Sequence, residues 1–276
     1  MKLTLIRHLW GVDEAWETVF PKIAALGYTG IEMPLPGPED RARFRALLDQ
    51  HGFAYIAMAF TGGADPAAHV ASLRDQLAVA KTLRPLFVNC HSGSDSWSTE
   101  QQHAFFTGAV AAEQAAGIQV CHEIHRGRVF FNPRDTRQIL EAFPTVKVCA
   151  DYSHWVNVCE RLPDDQAEAF RLAAERCLHI HARVGYEHGP QVPDPRAPEA
   201  LHYLQAHERW WDQIWDSQAR RGFATSTLTP EFGPPGYLHT LPYTQTPVAN
   251  LWDICNWQAK RQAERFAARG ASAKAR

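Results

Sequence analysis

Hydrophobic and polar positions along the chain keep two alternating rhythms. Compact apolar runs of strand length are each followed by a stretch with apolar residues at helical spacing. The first pair sets the pattern: a strand over 3–9, then a helix over 12–26 carrying Ala15, Val19, Ile23 and Leu26 on one face. Gly27 ends that helix, because a glycine just past the last periodic residue takes a backbone conformation that other residues resist. Further strands are predicted over 29–33, 53–60, 86–91, 118–124, 146–151, 177–184 and 223–231. Further helices are predicted over 39–51, 66–82, 99–116, 133–142, 163–176, 199–221 and 248–269. Gly52 and Gly117 mark two more stops, and Pro133 and Pro163 open helices as first-turn prolines.

Strands alternating with helices, with no linker between them, argue for the α/β class and a single closed parallel (β/α)₈ barrel. The length of 276 residues agrees, since one such barrel takes about 250. An open doubly wound sheet would need a glycine-rich phosphate loop after its first strand, and His8-Leu9-Trp10-Gly11 is not one. The barrel is expected over 1–270, with a flexible basic tail over 271–276. The polar, proline-rich loop over 186–198 and the helix after it are long for this position. Substrate choice or dimer contacts are expected there.

Composition narrows the function classes. Hydrophobic residues make up 45% and charged residues 21% of the chain, as in soluble globular proteins. A net charge of −2 and a pI near 6.7 leave no electrostatic footprint for nucleic acid or membrane. The first residues are too short and interrupted for a signal peptide, and no apolar run approaches the roughly 20 residues of a membrane span. Four of the six cysteines (Cys90, Cys121, Cys149 and Cys177) lie inside strand-like runs, and none forms a CxxC pair. All are read as reduced thiols in a cytoplasmic protein.

The candidate chemistry lies at four successive strand ends. The fifth to eighth strands close on Glu123, Asp151, His181 and Glu231, and active sites of these barrels sit at the C-terminal strand ends. Singly, each could be a cap or a salt-bridge residue. Together they form a ring of oxygen and imidazole donors suited to Mn²⁺, Co²⁺, Mg²⁺ or Zn²⁺. Residues two apart share a strand face, so His179 points inward like His181 but lies deeper, as a hydrogen-bonded core histidine. His125 shares the face of Glu123 and is read as a substrate contact; His122 faces away. His154, on the loop leaving the sixth strand, could orient a ligand, touch substrate hydroxyls or hold a second metal. His91 lines the same rim. Arg183 shares the inward face of His181, as an anion or hydroxyl clamp or as the partner of a barrel carboxylate. Glu32 and His8, at the second and first strand ends, are read as hydrogen-bonding support. Trp10, Trp97, Trp155 and Phe232 follow strand ends, where they could wall a sugar pocket or simply pack loops. Trp210, Trp211 and Trp215 are core or oligomer contacts.

The segments His122-Glu123-Ile124-His125-Arg126, Asp151-Tyr152-Ser153-His154, His179-Ile180-His181-Ala182-Arg183 and Pro230-Glu231-Phe232-Gly233 resemble those of the xylose isomerase-like TIM barrels. That superfamily holds sugar isomerases and epimerases, sugar-derived dehydratases and AP endonuclease family 2. The resemblance implies that Glu123, Asp151, His181 and Glu231 hold one divalent metal ion (Mn²⁺, Co²⁺ or Mg²⁺, with Zn²⁺ also admitted). It implies that Glu123 and Glu231 are the catalytic acid–base pair, and that His154 matches the histidine of an Asp-x-x-His motif that contacts substrate. Arg183 has only an approximate counterpart. The implied activity is a metal-dependent sugar isomerase or epimerase, which removes the proton beside a ketose carbonyl through an enediolate. The alternatives are a dehydratase of a cyclic polyol or keto acid, an abasic-site endonuclease, or a non-catalytic sugar-binding barrel. No Asp-x-His pair follows His181, which argues against three-zinc chemistry. The expected partner is a small sugar, with no nucleic acid or membrane, and a homodimer or homotetramer is left open.

Overall fold

Eight parallel strands close into one barrel in which neighbours in sequence are neighbours in space, and β1 (Lys2–His8) seals it against β8 (Thr225–Thr229). Between them stand β2 (Gly30–Pro34), β3 (Ala54–Phe60), β4 (Phe87–His91), β5 (Val120–Glu123), β6 (Lys147–Ala150) and β7 (Cys177–His181). This computed structural model describes residues 1–270 in full and the backbone through Lys274; the tail expected over 271–276 lies outside the fully described residues. The single (β/α)₈ barrel read from the alternating pattern is the fold.

The helices are α1 (Trp16–Ala25), α2 (Arg41–His51), α3 (Pro66–Thr82), α4 (Thr99–Ala116), α5 (Pro133–Ala142), α6 (Tyr152–Cys159), α7 (Ala167–Arg176), α8 (Leu201–Arg220) and α9 (Leu251–Lys274). Local chemistry sets their limits. Asp65 caps α3 by accepting from the Ala68 amide at 2.8 Å, Ser98 and Gln101 form a reciprocal capping box on α4, and Asn132 caps α5. Gly52 and Gly117 close α2 and α4 with φ of +64° and +67°, where a side chain would be strained.

One helix was not expected. The stretch after Asp151, read as a loop, turns at once into α6, and Asp151 is its N-cap, its Oδ1 accepting from the Ser153 amide at 3.2 Å. Tyr152, with Trp155 and Val156 three and four residues on, buries its inner face. The helix predicted over 163–176 accordingly starts late, as a 3₁₀ turn (Asp164–Gln166) followed by α7.

Two apolar layers hold the barrel. The larger lies between strands and helices and takes in Trp210, Trp211 and Trp215 of α8, all at most 3% exposed. The smaller is a plug inside the barrel, made by Ile6, Ile56, Phe87, Cys121 and Cys149. Above the plug, toward the C-terminal strand ends, the inward positions turn polar: Glu32, Asn89, Glu123, His179, His181 and Thr229 are all buried. Isolated charges at such depth would be costly, so their partners define the site.

Candidate metal and substrate site

Strand alternation builds the site in two tiers. In the lower tier the Glu32 carboxylate accepts from Thr229 Oγ1 at 2.6 Å and faces His179 Nε2 at 3.1 Å and His181 Nε2 at 3.0 Å. His179 is also held by Thr227, at 2.8 Å from its Nδ1. This is the buried, hydrogen-bonded role expected of it. Asn89 donates to Glu123 Oε2 at 2.6 Å.

In the upper tier Glu123, Asp151, His181 and Glu231 each offer a ligand atom, all within 4.8 Å of one another. His181 Nδ1 stands 2.9 Å from Glu231 Oε2 and 3.7 Å from Glu123 Oε2. Beyond these contacts and that of Glu231 Oε2 with Arg183 at 3.3 Å, Glu123 Oε1, His181 Nδ1 and Glu231 Oε2 are buried without hydrogen-bond partners. Converging orphaned donors of this kind fit a divalent cation. Asp151 differs. Its Oδ1 accepts from Ser153 Oγ at 2.5 Å, and its Oδ2 accepts from Arg183.

Charge in this cluster is shared. Burial would lower the pKa of His181, yet Glu231, Glu32 and Glu123 hold it well above the usual imidazole value. Burial would raise Glu32, Glu123 and Glu231, but facing side chains keep all three below the usual carboxylate range: His181 and His179 at Glu32, His91 and His181 at Glu123, His181 and Arg183 at Glu231. At Asp151 burial wins over Arg183, and its pKa rises to about 6.

A cavity of about 590 Å³ opens above the ring, and its wall is divided. Glu32, Glu123, Glu231, His91, His125 and Arg183 line one part; Leu9, Trp10, Met33, Met58 and Phe60 line another. His91 Nε2 lies 2.9 Å from Glu123 Oε2. His125 donates from Nδ1 to the Arg126 carbonyl at 2.5 Å, and burial holds its pKa down to about 3. His154 is placed differently from the expectation. It sits in the first turn of α6, fully buried, with Nε2 at 2.8 Å from Arg183, and it does not line the cavity. Arg183 takes the cavity-facing position in its stead, stacking 5.0 Å from the Tyr237 ring while binding Asp151.

Of the aromatics, Trp10 lines the cavity, whereas Trp97, Trp155 and Phe232 pack into the surrounding layers. None of residues 186–198 lines it. Gln191 in that loop instead clamps the β8 exit, accepting from the Gly233 amide at 2.7 Å and donating to its carbonyl at 3.2 Å. Sequence reasoning missed Asn89, although its two-residue spacing from His91 puts both on one face. It also missed Arg128, which lines the cavity, donates to the Thr61 and Gly93 carbonyls at 3.2 Å each, and makes no ion pair among the described residues.

A closed eight-stranded parallel barrel with a carboxylate–histidine ring at its C-terminal strand ends defines a TIM barrel with a candidate metal site. Within that class, the chain belongs to the xylose isomerase-like TIM barrel family, whose pattern matches residues 20–196. No curated protein matches it by sequence. Its fold is similar to that of the probable 3-DHS dehydratase AsbF, involved in petrobactin synthesis, from Bacillus anthracis (12% identity, 94% of this chain and 98% of that one, TM-score 0.61). It is also similar to an AP endonuclease, family 2, from Brucella melitensis (16%, 85% and 94%, 0.57), and to the 3-keto-D-glucoside 4-epimerase YcjR from E. coli (12%, 82% and 91%, 0.54). At such identities the likeness concerns the fold alone. No helix among the described residues is long and apolar enough to cross a membrane.

Proposed function

We propose that this protein is a metal-dependent isomerase or epimerase of a ketose or keto-sugar. The observation that carries the reading is the set of orphaned buried atoms on Glu123, His181 and Glu231, gathered with Asp151 within 4.8 Å beneath a cavity. A divalent ion held by these four residues would supply Lewis-acid polarisation of a carbonyl.

The chain's own groups supply the rest. Glu123 and Glu231 both reach the cavity wall from strands on different sides of the barrel, so one carboxylate removes the proton beside the carbonyl and the other returns one. Return to the same carbon from the opposite face epimerises; return to the neighbouring carbon isomerises. Asn89 holds Glu123 in place through its amide. His125, uncharged, and His91 offer ring nitrogens to substrate hydroxyls, while Trp10, Met58 and Phe60 cover apolar C–H surface.

Elemental analysis of protein purified without chelator, beside Glu231→Gln, tests the ring. About one divalent ion per chain, lost in the variant, supports the reading. Deuterium entering a ketose from D₂O without loss of water then marks an isomerase or epimerase, whereas loss of water marks a dehydratase. No bound metal, even after reconstitution with Mn²⁺, would overturn it.

A further inference from the structure

Arg7 and His8 at the end of β1 have no part in the proposed metal ring or acid–base pair, and His8 was read only as hydrogen-bonding support. Arg7 is only 1% exposed and makes no ion pair among the described residues. Its guanidinium is held 4.8 Å over the Trp252 ring of α9, and its Nη1 lies 3.2 Å from His8 Nε2. A guanidinium has donors and no acceptor, and it stays protonated in proteins. Nε2 of His8 must therefore accept, and the Cys255 thiol, 3.6 Å from the same nitrogen, can donate to it as well. Burial and the Arg7 charge keep the ring uncharged, with a pKa held down to about 3. A neutral imidazole that accepts at Nε2 carries its proton on Nδ1. That nitrogen is buried with no hydrogen-bond partner, on a ring that lines the cavity together with Glu32 and Glu231.

We propose that His8 is an uncharged hydrogen-bond donor to a substrate oxygen, with Arg7 as the positioning residue that fixes its proton on Nδ1 from behind. This rests on the proposed carbonyl chemistry. As the substrate oxygen gains negative charge, a pre-aimed neutral N–H strengthens its hold without giving the proton away. The proton stays on Nδ1 throughout. Glu32 and Glu231 line the same wall, so His8 supplies an uncharged donor beside two acceptors.

The test reads the tautomer first. In the ¹⁵N-histidine-labelled protein, long-range ¹⁵N–¹H correlation should show His8 with Nδ1 protonated and Nε2 bare from pH 5 to 8. Arg7→Met should move it toward the Nε2-protonated form. An Nε2-protonated ring in the parent protein overturns the proposal. The probe for the substrate oxygen is glycolohydroxamate, added to the Mg²⁺-loaded protein. The Nδ1 proton should shift downfield on binding. His8→Leu should weaken the probe about 100-fold, in line with the loss of one such donor, while His8→Asn, whose amide N–H can stand where Nδ1–H stood, should keep affinity within about fivefold of the parent. Binding with no shift, or equal affinity in His8→Leu, overturns the role of His8 and leaves the metal reading standing. A parent protein that binds no hydroxamate counts against the metal reading, and the substrate role of His8 falls with it, whatever the tautomer.

Discussion

Glu32 and His181 meet at 3.0 Å, carboxylate Oε1 to ring Nε2, which leaves the other nitrogen of that ring turned toward Glu231 and Glu123. A carboxylate on one imidazole nitrogen fixes the ring for a ligand on the other and makes that second nitrogen more basic. Glu32→Gln keeps the shape and removes the charge. Its affinity for Mn²⁺, measured by competition with a chelator, should fall roughly 10- to 100-fold. Unchanged affinity would mean that Glu32 only fills space.

Metal binding should expel a proton. Neighbouring carboxylates hold His181 protonated well above its ordinary range, so a cation using Nδ1 must displace hydrogen there. Affinity should climb about tenfold per pH unit from pH 6 to 8. Below about 6, where Asp151 also takes up a proton, the dependence should steepen. Calorimetry in buffers of different ionisation enthalpy counts the protons directly, and a flat profile refutes the assignment.

Arg183→Met should destabilise the metal-free protein. The guanidinium contacts Asp151 and lies 3.3 Å from Glu231, with all three groups buried. Removing one partner of such a set costs about 3–5 kcal/mol, read as a lower urea midpoint. Added divalent metal should restore most of the loss, which would not happen if Arg183 mattered only by packing.

Arg128 is a cavity cation without a carboxylate. Arg128→Met should weaken sugar acids or sugar phosphates about tenfold, a change of about 1.4 kcal/mol, and leave neutral ketoses within about twofold. Equal losses for both groups would make it a loop clamp.

The pH dependence of stability should carry the mark of His122. Burial would lower its pKa, but hydrogen bonds to Cys90 and Glu113 raise it to about 9 from 6.5. A raised pKa stabilises fully below pH 6.5 and loses that contribution as the pH climbs, with none left above about 9. The difference is about 3 kcal/mol. Glu113→Gln should flatten that part of the profile. Although Ser92 Oγ lies 2.6 Å from His122 Nδ1 and Glu113 2.9 Å from Nε2, a protonated ring is no general base, so this Ser–His–Glu chain bolts β5 to α4.

The strand ends were legible because a two-residue period admits no ambiguity: once Glu123 and His181 face inward, His125, His179 and Arg183 follow. The setting of His154 was not. Asp151 was read as a strand-end ligand followed by a loop, but its side chain caps a helix that starts at once, α6, and that turn buries His154 behind Arg183. Asn89 and Thr229 carry no charge and draw no attention in a sequence, yet they tie the carboxylates together. Arg128 and Tyr237 enter the cavity from loops, whose course no periodicity reports.

The divided wall of the cavity has an evolutionary consequence. The residues that would hold metal and move protons come mainly from the second half of the barrel, bound to one another by short charged contacts that tolerate little change. Met33, Met58 and Phe60 come from β2 and β3 and make none of those ion pairs, although the Phe60 ring packs 4.4 Å from that of His91. Mutations there can retool which molecule enters while the reactive machinery is inherited intact, so new clientele can arise on this scaffold one apolar side chain at a time.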